Sequence, residues 1–268
     1  MSAEQSAQLI TEQHDRVLVV TIMNPAARNA LTREIFDSGL ELFRRLRHDA
    51  SIGAVVLRGD GAHFCGGGNL QRMKAQRTKP RHTQAEHVDA AHGWILAMRE
   101  CPQPVIAAVE GAAAGGGFAL ALACDLVVAA QDAVMLMSHV KIGLSPDCGA
   151  TYWLSRAVPH QTALEFMLDG QPVPVERLAQ LGLVNKVVPK GQAGAAAMAW
   201  AGALAAGPCN AHASIKRLTY LAEHTKLADQ LASERDAVVD AVYGTENAEG
   251  VDAFLERRPA NFAAARRF

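Results

Sequence analysis

The alternation of short β-branched segments with helical patterns is the sequence feature that most constrains how this chain can fold. Four apolar, strand-like segments stand out, at residues 17–22, 54–57, 104–109 and 126–130. Leu9 and Ile10 offer a hairpin partner to the first of them, and helical patterns fill residues 85–100 and 117–123 between the others. Parallel strands need such helical crossovers. The alternation therefore predicts an α/β core with a largely parallel sheet.

The last part of the chain carries helical patterns with no strands between them. A final strand-like segment covers residues 184–188. After it, helical spacing recurs at residues 191–206, 211–224, 226–243 and 246–257. We therefore expect two parts, an α/β core over residues 1–200 and a helical C-terminal region over residues 201–268.

Charge and cysteine content narrow the classes of protein to which the chain can belong. The 268 residues carry a formal net charge of -1, which predicts no nucleic-acid partner. No apolar run reaches the roughly 18 residues of a membrane span, and the polar residues 1–13 contain no signal-peptide core. The five cysteines are scattered without a C-x-x-C pair, so we expect neither disulfides nor a zinc site. Together these features predict a cytoplasmic protein that binds no membrane.

Two runs of three glycines follow two of the predicted strands. The first run, residues 66–68, comes after the strand at 54–57, and the second, residues 115–117, comes after the strand at 104–109 and opens a helix. Free peptide N–H groups in such loops can stabilise a developing negative oxygen. Each run taken alone is equally compatible with a tightly packed turn. Neither matches a nucleotide-binding glycine motif.

The order of several motifs resembles the crotonase family of enoyl-CoA hydratases and isomerases. The similar segments are residues 24–31, 64–70, 104–117, 123–126, 143–147, 182–186 and 253–258. The resemblance implies a spiral of ββα units followed by helices that form a homotrimer or a dimer of trimers. It also implies an acyl-CoA thioester as the bound partner. No separate cofactor and no metal are expected, since coenzyme A is part of the substrate.

The resemblance also assigns residues to the site. The peptide N–H groups of Gly68 and Gly116 would form an oxyanion hole for the thioester carbonyl. Residues expected to bind the coenzyme A moiety are Arg28, Gly66, Asn69 and Leu70, together with Arg258 and Phe262, which would reach the coenzyme A of a neighbouring subunit. Arginines near a chain terminus are also commonly solvated surface residues, which is the alternative for Arg258.

The sequence departs from the family at the two glutamates that hydratases use. Those positions fall on Ala119 and His139 in this chain. Alanine cannot transfer a proton, so the two-carboxylate addition of water loses one of its groups. His139 can act as a base near neutral pH or can simply fill a pocket wall. Hydration by the usual mechanism is therefore not expected.

Asp147 is the carboxylate that remains near the predicted oxyanion hole. Family isomerases carry an aspartate at this point, where it removes a proton from one carbon of the acyl chain and returns it to another. Asp147 also follows Pro146, so it could instead belong to a turn that caps the helix beginning near Gly149. We predict double-bond isomerisation with Asp147 as the proton shuttle and with hydration by a variant mechanism as the first alternative.

His92 supports a further alternative. The 4-chlorobenzoyl-CoA dehalogenases resemble this chain in pairing a histidine at this place with the aspartate that matches Asp147. Their aromatic pocket is missing, because Ala91, Gly68 and His139 stand where aromatic residues line it. His92 could equally be a surface residue of its helix, and a protein that binds acyl-CoA without catalysis is also compatible with Ala119. His82, His87 and His92 recur every five residues, a spacing that does not favour a metal site.

Overall fold

The computed structural model describes residues 7–265, and the element bounds below are those of this part of the chain. Its strands are β1 (Gln8–His14), β2 (Val17–Met23), β3 (Ala54–Gly59), β4 (Val105–Val109), β5 (Ala112–Ala114), β6 (Leu126–Ala130), β7 (Val134–Leu136) and β8 (Lys186–Val188). The first helices are α1 (Arg33–Leu46), α2 (Leu70–Gln76), α3 (Arg81–Glu100), α4 (Gly116–Ala123), α5 (Ala150–Ala157), α6 (His160–Asp169) and α7 (Val175–Gln180). The remaining helices are α8 (Ala193–Ala206), α9 (Cys209–Leu221), α10 (Leu227–Val242), α11 (Thr245–Leu255) and α12 (Phe262–Ala265).

The main sheet has the strand order β1-β2-β3-β4-β6-β8. Strands β1 and β2 form an antiparallel hairpin, and every later neighbour in the sheet pairs in parallel. Strand β2 is buried along nearly its whole length because both faces of the sheet are covered. The predicted α/β core, its hairpin and its parallel order are therefore confirmed.

A second, smaller layer crosses the ends of the main strands. Strands β5 and β7 pair in parallel there, and single bridges join Leu31 to Gly68, Cys65 to Ala113 and Met135 to Val173. The chain thus repeats one path: from a main strand to a short stretch in the second layer and then to a helix, as in β4–β5–α4. This repetition is the predicted spiral of ββα units.

Helices α1 and α3 cover one face of the main sheet. The hydroxyl of Thr32 accepts the N–H of Ile35 at 3.5 Å, so this residue caps α1. Trp94 of α3 is 1% exposed and packs directly on Gly39, where a Cβ would lie 2.6 Å from the indole. A glycine is needed at this point because the two helices approach so closely.

Helix α8 covers the opposite face with a stripe of alanines. Ala193, Ala197, Ala201 and Ala205 recur every fourth residue and pack on the strands as a second apolar cluster. The small methyl groups let the helix lie close to the sheet, and Gly53 meets Ala205 where a Cβ would be 2.9 Å away. The division expected at residue 200 falls inside this helix.

Helices α9 to α12 form the helical C-terminal region expected from the sequence. Helix α9 is tied to the core by Lys216, whose ammonium lies 2.7 Å from the carboxylate of Asp125. Both side chains are mostly buried, at 7% and 15% exposure. Within residues 7–265, every helix is too short or too polar to cross a membrane.

Candidate active site

The two glycine runs lie side by side at the carboxyl edge of the main sheet. Three peptide hydrogen bonds join the segments that carry them. Cys65 donates to Ala112 at 3.0 Å, Ala114 donates to Cys65 at 2.9 Å, and Phe64 donates to Glu110 at 2.8 Å. Because these bonds continue the parallel pairing of β3 with β4, the ends of the two loops are held at a fixed separation.

Gly67 brings the first run against the start of α4. Its φ of 88° lies in the left-handed region, and a Cβ here would be 2.5 Å from the carbonyl oxygen of Ala114. The same Cβ would lie 3.3 Å from the peptide nitrogen of Gly116. The adjacent Gly68 is bridged to Leu31 in the second layer. Gly68 and Gly116 therefore occupy neighbouring loops, as predicted.

The peptide N–H groups of Gly68 and Gly116 are the two candidate donors to an oxyanion. Gly115 is the N-cap of α4, has a φ of 54°, and supplies no side chain to cap the helix. Gly116 is therefore the first helical residue, and its N–H points away from the helix without an internal acceptor. Within residues 7–265, neither this N–H nor that of Gly68 donates to another group of the chain. Two free donors beside a helix N-terminus can bind a developing oxyanion.

Asp147 lies next to the start of α4 and is held by His139. Its Oδ1 is 3.2 Å from Nε2 of His139, and a methyl group on Gly116 would be 3.8 Å from the same oxygen. His139 belongs to the 3-10 helix Ser138–Ile142 and is 8% exposed, whereas the side chain of Asp147 is 45% exposed. The structure therefore brings three predicted residues together, with the carboxylate open to a ligand and the imidazole behind it.

The surroundings of Asp147 favour its ionised form. Burial raises the pKa of this carboxyl, but the hydrogen bond and charge of His139, a hydrogen bond from Cys148 and the charge of His92 outweigh it. The net effect lowers the pKa of Asp147 below its ordinary value. An ionised Asp147 requires the proton of His139 to be on Nε2. The Nδ1 of a neutral ring then remains a buried acceptor, and no partner in residues 7–265 occupies it.

His92 and Ala119 take different places around this group. His92 is exposed on α3, and its charge acts on Asp147 without a direct hydrogen bond between them. Ala119 is fully buried in the second turn of α4, and its N–H donates to Gly115 at 3.0 Å. Within residues 7–265, no three His, Cys, Asp or Glu side chains form a set that could hold a metal ion.

Four of the residues expected to bind coenzyme A lie along one rim. Gly66 donates its N–H to the carbonyl of Arg28 at 2.8 Å, and Arg28 has a left-handed φ of 53° with an exposed side chain. Asn69 caps α2 by accepting the N–H of Arg72 at 3.0 Å. Leu70 follows with 58% of its surface exposed. The rim leads directly to Gly68.

Arg258 and Phe262 lie in the C-terminal region and contact its own helices. The guanidinium of Arg258 is within 2.6 Å of both Glu249 and Glu256. Phe262 packs near Gly250, where a Cβ would be 3.6 Å from its ring. The structure does not bring either residue to the glycine loops of the same chain, and a contact with a neighbouring subunit stays a prediction.

Two residues near Asp147 were not identified from the sequence. Arg72 of α2 donates to Gln84 of α3 at 3.1 Å, and its Nε is buried without an acceptor. His87 of α3 is half-buried with its ring 5.1 Å from that of Phe36. Burial and then the charge of Arg72 lower the pKa of His87 to about 4. The only sequence signal is the position of Arg72, four residues after Gly68.

Comparisons with known proteins identify the family of the chain. The sequence model of the enoyl-CoA hydratase/isomerase family matches residues 12–265. A probable enoyl-CoA hydratase of Rhodobacter capsulatus is 35% identical over 94% of this chain and 96% of that protein. The 1,2-epoxyphenylacetyl-CoA isomerase of Escherichia coli is 32% identical over 92% of this chain and 94% of its own.

Solved structures show the same relationship in three dimensions. The crystal structure of an enoyl-CoA hydratase from Polaromonas sp. JS666 superposes with a TM-score of 0.93 and 44% identity, covering 95% of this chain and 99% of the other. A putative enoyl-CoA hydratase from Streptomyces coelicolor superposes with a TM-score of 0.92 and 32% identity, covering 98% of this chain and 97% of the other. The chain therefore belongs to the enoyl-CoA hydratase/isomerase family of the crotonase superfamily.

Proposed function

We propose that the protein moves a double bond along the acyl chain of a coenzyme A thioester. In this proposal the thioester oxygen binds the N–H groups of Gly68 and Gly116, and Asp147 carries the proton. The observation that supports this proposal is the accessible carboxylate of Asp147. Its Oδ1 would lie 3.8 Å from a methyl group on Gly116. A base next to the oxyanion donors is the arrangement that enolate chemistry needs.

The proposed reaction needs only the carboxylate of Asp147 and the two peptide N–H groups. Asp147 removes a proton from C2 of a 3-enoyl thioester, and the electron pair spreads into a dienolate with its charge on the thioester oxygen. The two peptide N–H groups stabilise that charge because their dipoles are already oriented toward it. The proton of Asp147 then adds to C4, which gives the 2-enoyl isomer and restores the carboxylate.

Isomerisation is favoured over hydration because the second carboxylate is missing. Addition of water to a double bond needs one group to activate water and another to protonate carbon. The fully buried Ala119 offers no titratable group at one of the two hydratase positions. A single carboxylate is sufficient for a proton shuttle.

Hydration by a variant mechanism is the second candidate, and His139 favours it. Its ring lies in the site, its Nδ1 is unpartnered within residues 7–265, and several relatives are named hydratases. In that case the imidazole and Asp147 would share the work of the two glutamates. Two further alternatives are the dehalogenase-like reaction of an aryl-CoA with His92 and binding of acyl-CoA without catalysis. The experiment below distinguishes them.

We also propose the assembly and the coenzyme A contacts that the family resemblance implies. Arg28, Gly66, Asn69 and Leu70 would line the path of the nucleotide and pantetheine. Arg258 and Phe262 would complete the site of a neighbouring subunit in a homotrimer or a dimer of trimers. The reaction as proposed uses no cofactor other than its coenzyme A substrate, and a cytoplasmic location stays a prediction.

The test incubates the protein with 3-hexenoyl-CoA, crotonyl-CoA and 4-chlorobenzoyl-CoA in deuterated water and follows the products by mass. We expect 2-hexenoyl-CoA with no gain of water, and with deuterium only in the fraction of molecules in which the proton on Asp147 exchanges with solvent before it adds to C4. Asp147→Asn should lower this turnover by about 10²–10⁴-fold. Its affinity for the thioester should stay within about twofold, since the amide keeps the size of the carboxylate.

Asp132→Asn serves as the matched control, because Asp132 is a surface aspartate paired with Lys190. Water added to crotonyl-CoA would contradict isomerisation and support the hydratase alternative. Formation of 4-hydroxybenzoyl-CoA with release of chloride would support the dehalogenase-like reaction with His92. Tight thioester binding with no reaction of any substrate would identify a non-catalytic binder.

A further inference from the structure

Arg72 is a positively charged side chain on α2, the helix that follows Gly68. Its Nη1 donates to the side-chain oxygen of Gln84 at 3.1 Å, which fixes the guanidinium with a neutral partner. Its Nε is buried and lacks an acceptor. Within residues 7–265 no carboxylate pairs with it, whereas the neighbouring Arg33 is held by Asp37 at 2.8 Å. A buried donor with no acceptor is costly, so its retention calls for a ligand.

His87 connects Arg72 with Asp147. The half-buried imidazole on α3 is close enough to both residues for their charges to act on it. Its pKa of about 4 keeps it neutral at physiological pH, so it adds no second positive charge beside Arg72. Arg72 and His87 therefore form a wall that is polar and carries one unbalanced positive charge.

In the proposed complex, the acyl chain extends from the oxyanion hole toward this wall. Helix α2 begins two residues after Gly68, and Met73 covers that glycine so closely that a Cβ there would be 2.6 Å from its Cε. Arg72 is the third residue of α2 and directly precedes Met73. An acyl group held at Gly68 and Asp147 thus has α2 and α3 as its neighbours.

We propose that Arg72, supported by His87, selects acyl groups that end in a carboxylate. This inference rests on the proposed acyl-CoA function and adds the substrate class. The Nε and Nη2 donors of a guanidinium form one edge that matches both oxygens of a carboxylate. Gln84 occupies Nη1 only, so this edge makes no hydrogen bond within residues 7–265. A substrate carboxylate would satisfy the buried donor and balance the charge.

The test measures equilibrium binding of unreactive saturated ligands, so it does not depend on which reaction the protein catalyses. Titration calorimetry compares adipoyl-CoA with hexanoyl-CoA, which has the same chain length without the carboxylate, and with free coenzyme A. We expect adipoyl-CoA to bind at least tenfold more tightly than hexanoyl-CoA. Arg72→Gln should abolish that preference and leave the affinity for hexanoyl-CoA within about twofold. Arg72→Lys should retain part of it, because the charge remains and the two-donor edge is lost.

Arg77→Gln is the matched control, since Arg77 is an exposed arginine at the end of the same helix. This control variant should keep the full preference for adipoyl-CoA over hexanoyl-CoA. Equal binding of the two thioesters by the unmodified protein would overturn the proposed selectivity while leaving the acyl-CoA function intact. An equal loss of affinity for all three ligands in Arg72→Gln would also overturn the proposed selectivity. It would indicate that Arg72 binds the phosphates of coenzyme A. Binding of none of the ligands would overturn the proposed function itself.

Discussion

At the scale of single residues, two adjacent glycines in the first run should respond differently to the same added methyl group. In Gly67→Ala the φ of 88° and the carbonyl of Ala114, 2.5 Å from the new Cβ, both oppose the substitution. We expect a loss of about 1–3 kcal/mol in the free energy of unfolding, with reduced turnover. In Gly68→Ala the new Cβ meets only the flexible end of Met73, so stability should change by less than about 1 kcal/mol.

Urea unfolding of the two variants tests this prediction, because both changes add the same group to the same loop. Equal destabilisation would show that the loop is not held in the described conformation. A stable Gly67→Ala variant would contradict the close approach of the two glycine runs.

The pairing of His139 with Asp147 gives a prediction about pH. The hydrogen bond and charge of His139 lower the pKa of Asp147 against the effect of burial. Activity needs the carboxylate, so it should be lost as the pH falls through this lowered pKa. In His139→Ala burial remains while the stabilising partner is removed, so the pKa of Asp147 should rise and activity should fail at a higher pH.

The measurement is the acid limb of kcat/KM against pH for both proteins. His160→Ala is a suitable control, because His160 is an exposed residue at the start of α6. An unchanged acid limb in His139→Ala would mean that His139 does not set the ionisation of Asp147. A uniform fall in activity without a shift would give His139 a different role.

At the scale of elements, one buried ion pair should anchor the C-terminal helices to the core. The ammonium of Lys216 on α9 contacts Asp125 at 2.7 Å, and the hydroxyl of Tyr220 donates to the same carboxylate. Asp125 also accepts the N–H of Val105 at 2.7 Å, which ties it to β4. Lys216→Met would leave this buried carboxylate without a counter-charge, so we expect a loss of about 3–5 kcal/mol in unfolding free energy.

Lys190→Met provides the matched comparison for this prediction. Lys190 also pairs with an aspartate, Asp132, at 3.0 Å, but its side chain is 79% exposed. Exposed pairs contribute little because water screens them and both side chains lose mobility. Equal urea midpoints for the two variants would contradict an anchoring role of Lys216.

Helices α6 and α7 were not predicted from the sequence, and their composition explains why. Each begins directly after a proline, Pro159 or Pro174, which is compatible with a helix start. However, Leu164 and Leu168 of α6 are 38% and 65% exposed, so the apolar residues do not mark one buried face. Helices of six to ten residues with such a weak pattern depend on tertiary packing.

At the scale of the whole molecule, a large apolar surface on α10 and α11 supports the proposed self-association. Its most exposed members are Leu227, Leu231, Val238 and Val242 of α10 and Phe254 and Leu255 of α11, each at least 54% exposed in the single chain. Large apolar side chains exposed in such number on two consecutive helices generally mark an interface. We predict a homotrimer or a dimer of trimers, with a mass three or six times 28.5 kDa by light scattering.

Val238→Glu combined with Val242→Glu should weaken this assembly at least tenfold, because the two carboxylates would have to be buried on association. Arg235→Glu on the same helix is the control for a change of charge alone. A monomeric unmodified protein at micromolar concentration would contradict the predicted assembly. An assembly unaffected by the double variant would place the interface elsewhere.

The sequence by itself determined the architecture and part of the site. Strand segments such as residues 17–22 and 104–109 are β-branched and bounded by turn residues, so the parallel core and the helical C-terminal region followed from local patterns. Gly68, Gly116 and Asp147 were found because motifs keep their order along the chain. The family was recognised for the same reason.

The tertiary structure alone decided which side chains meet and what charge they carry. His139 lies eight residues from Asp147 and within 3.2 Å of it, a contact that depends on the path of the 3-10 helix and the following turn. Arg72 and His87 come from different helices, and no local pattern relates them. Burial and charge act through space, so the lowered pKa of Asp147 emerges only when distant segments are packed together. The same holds for the buried Nε of Arg72, which finds no acceptor among residues 7–265.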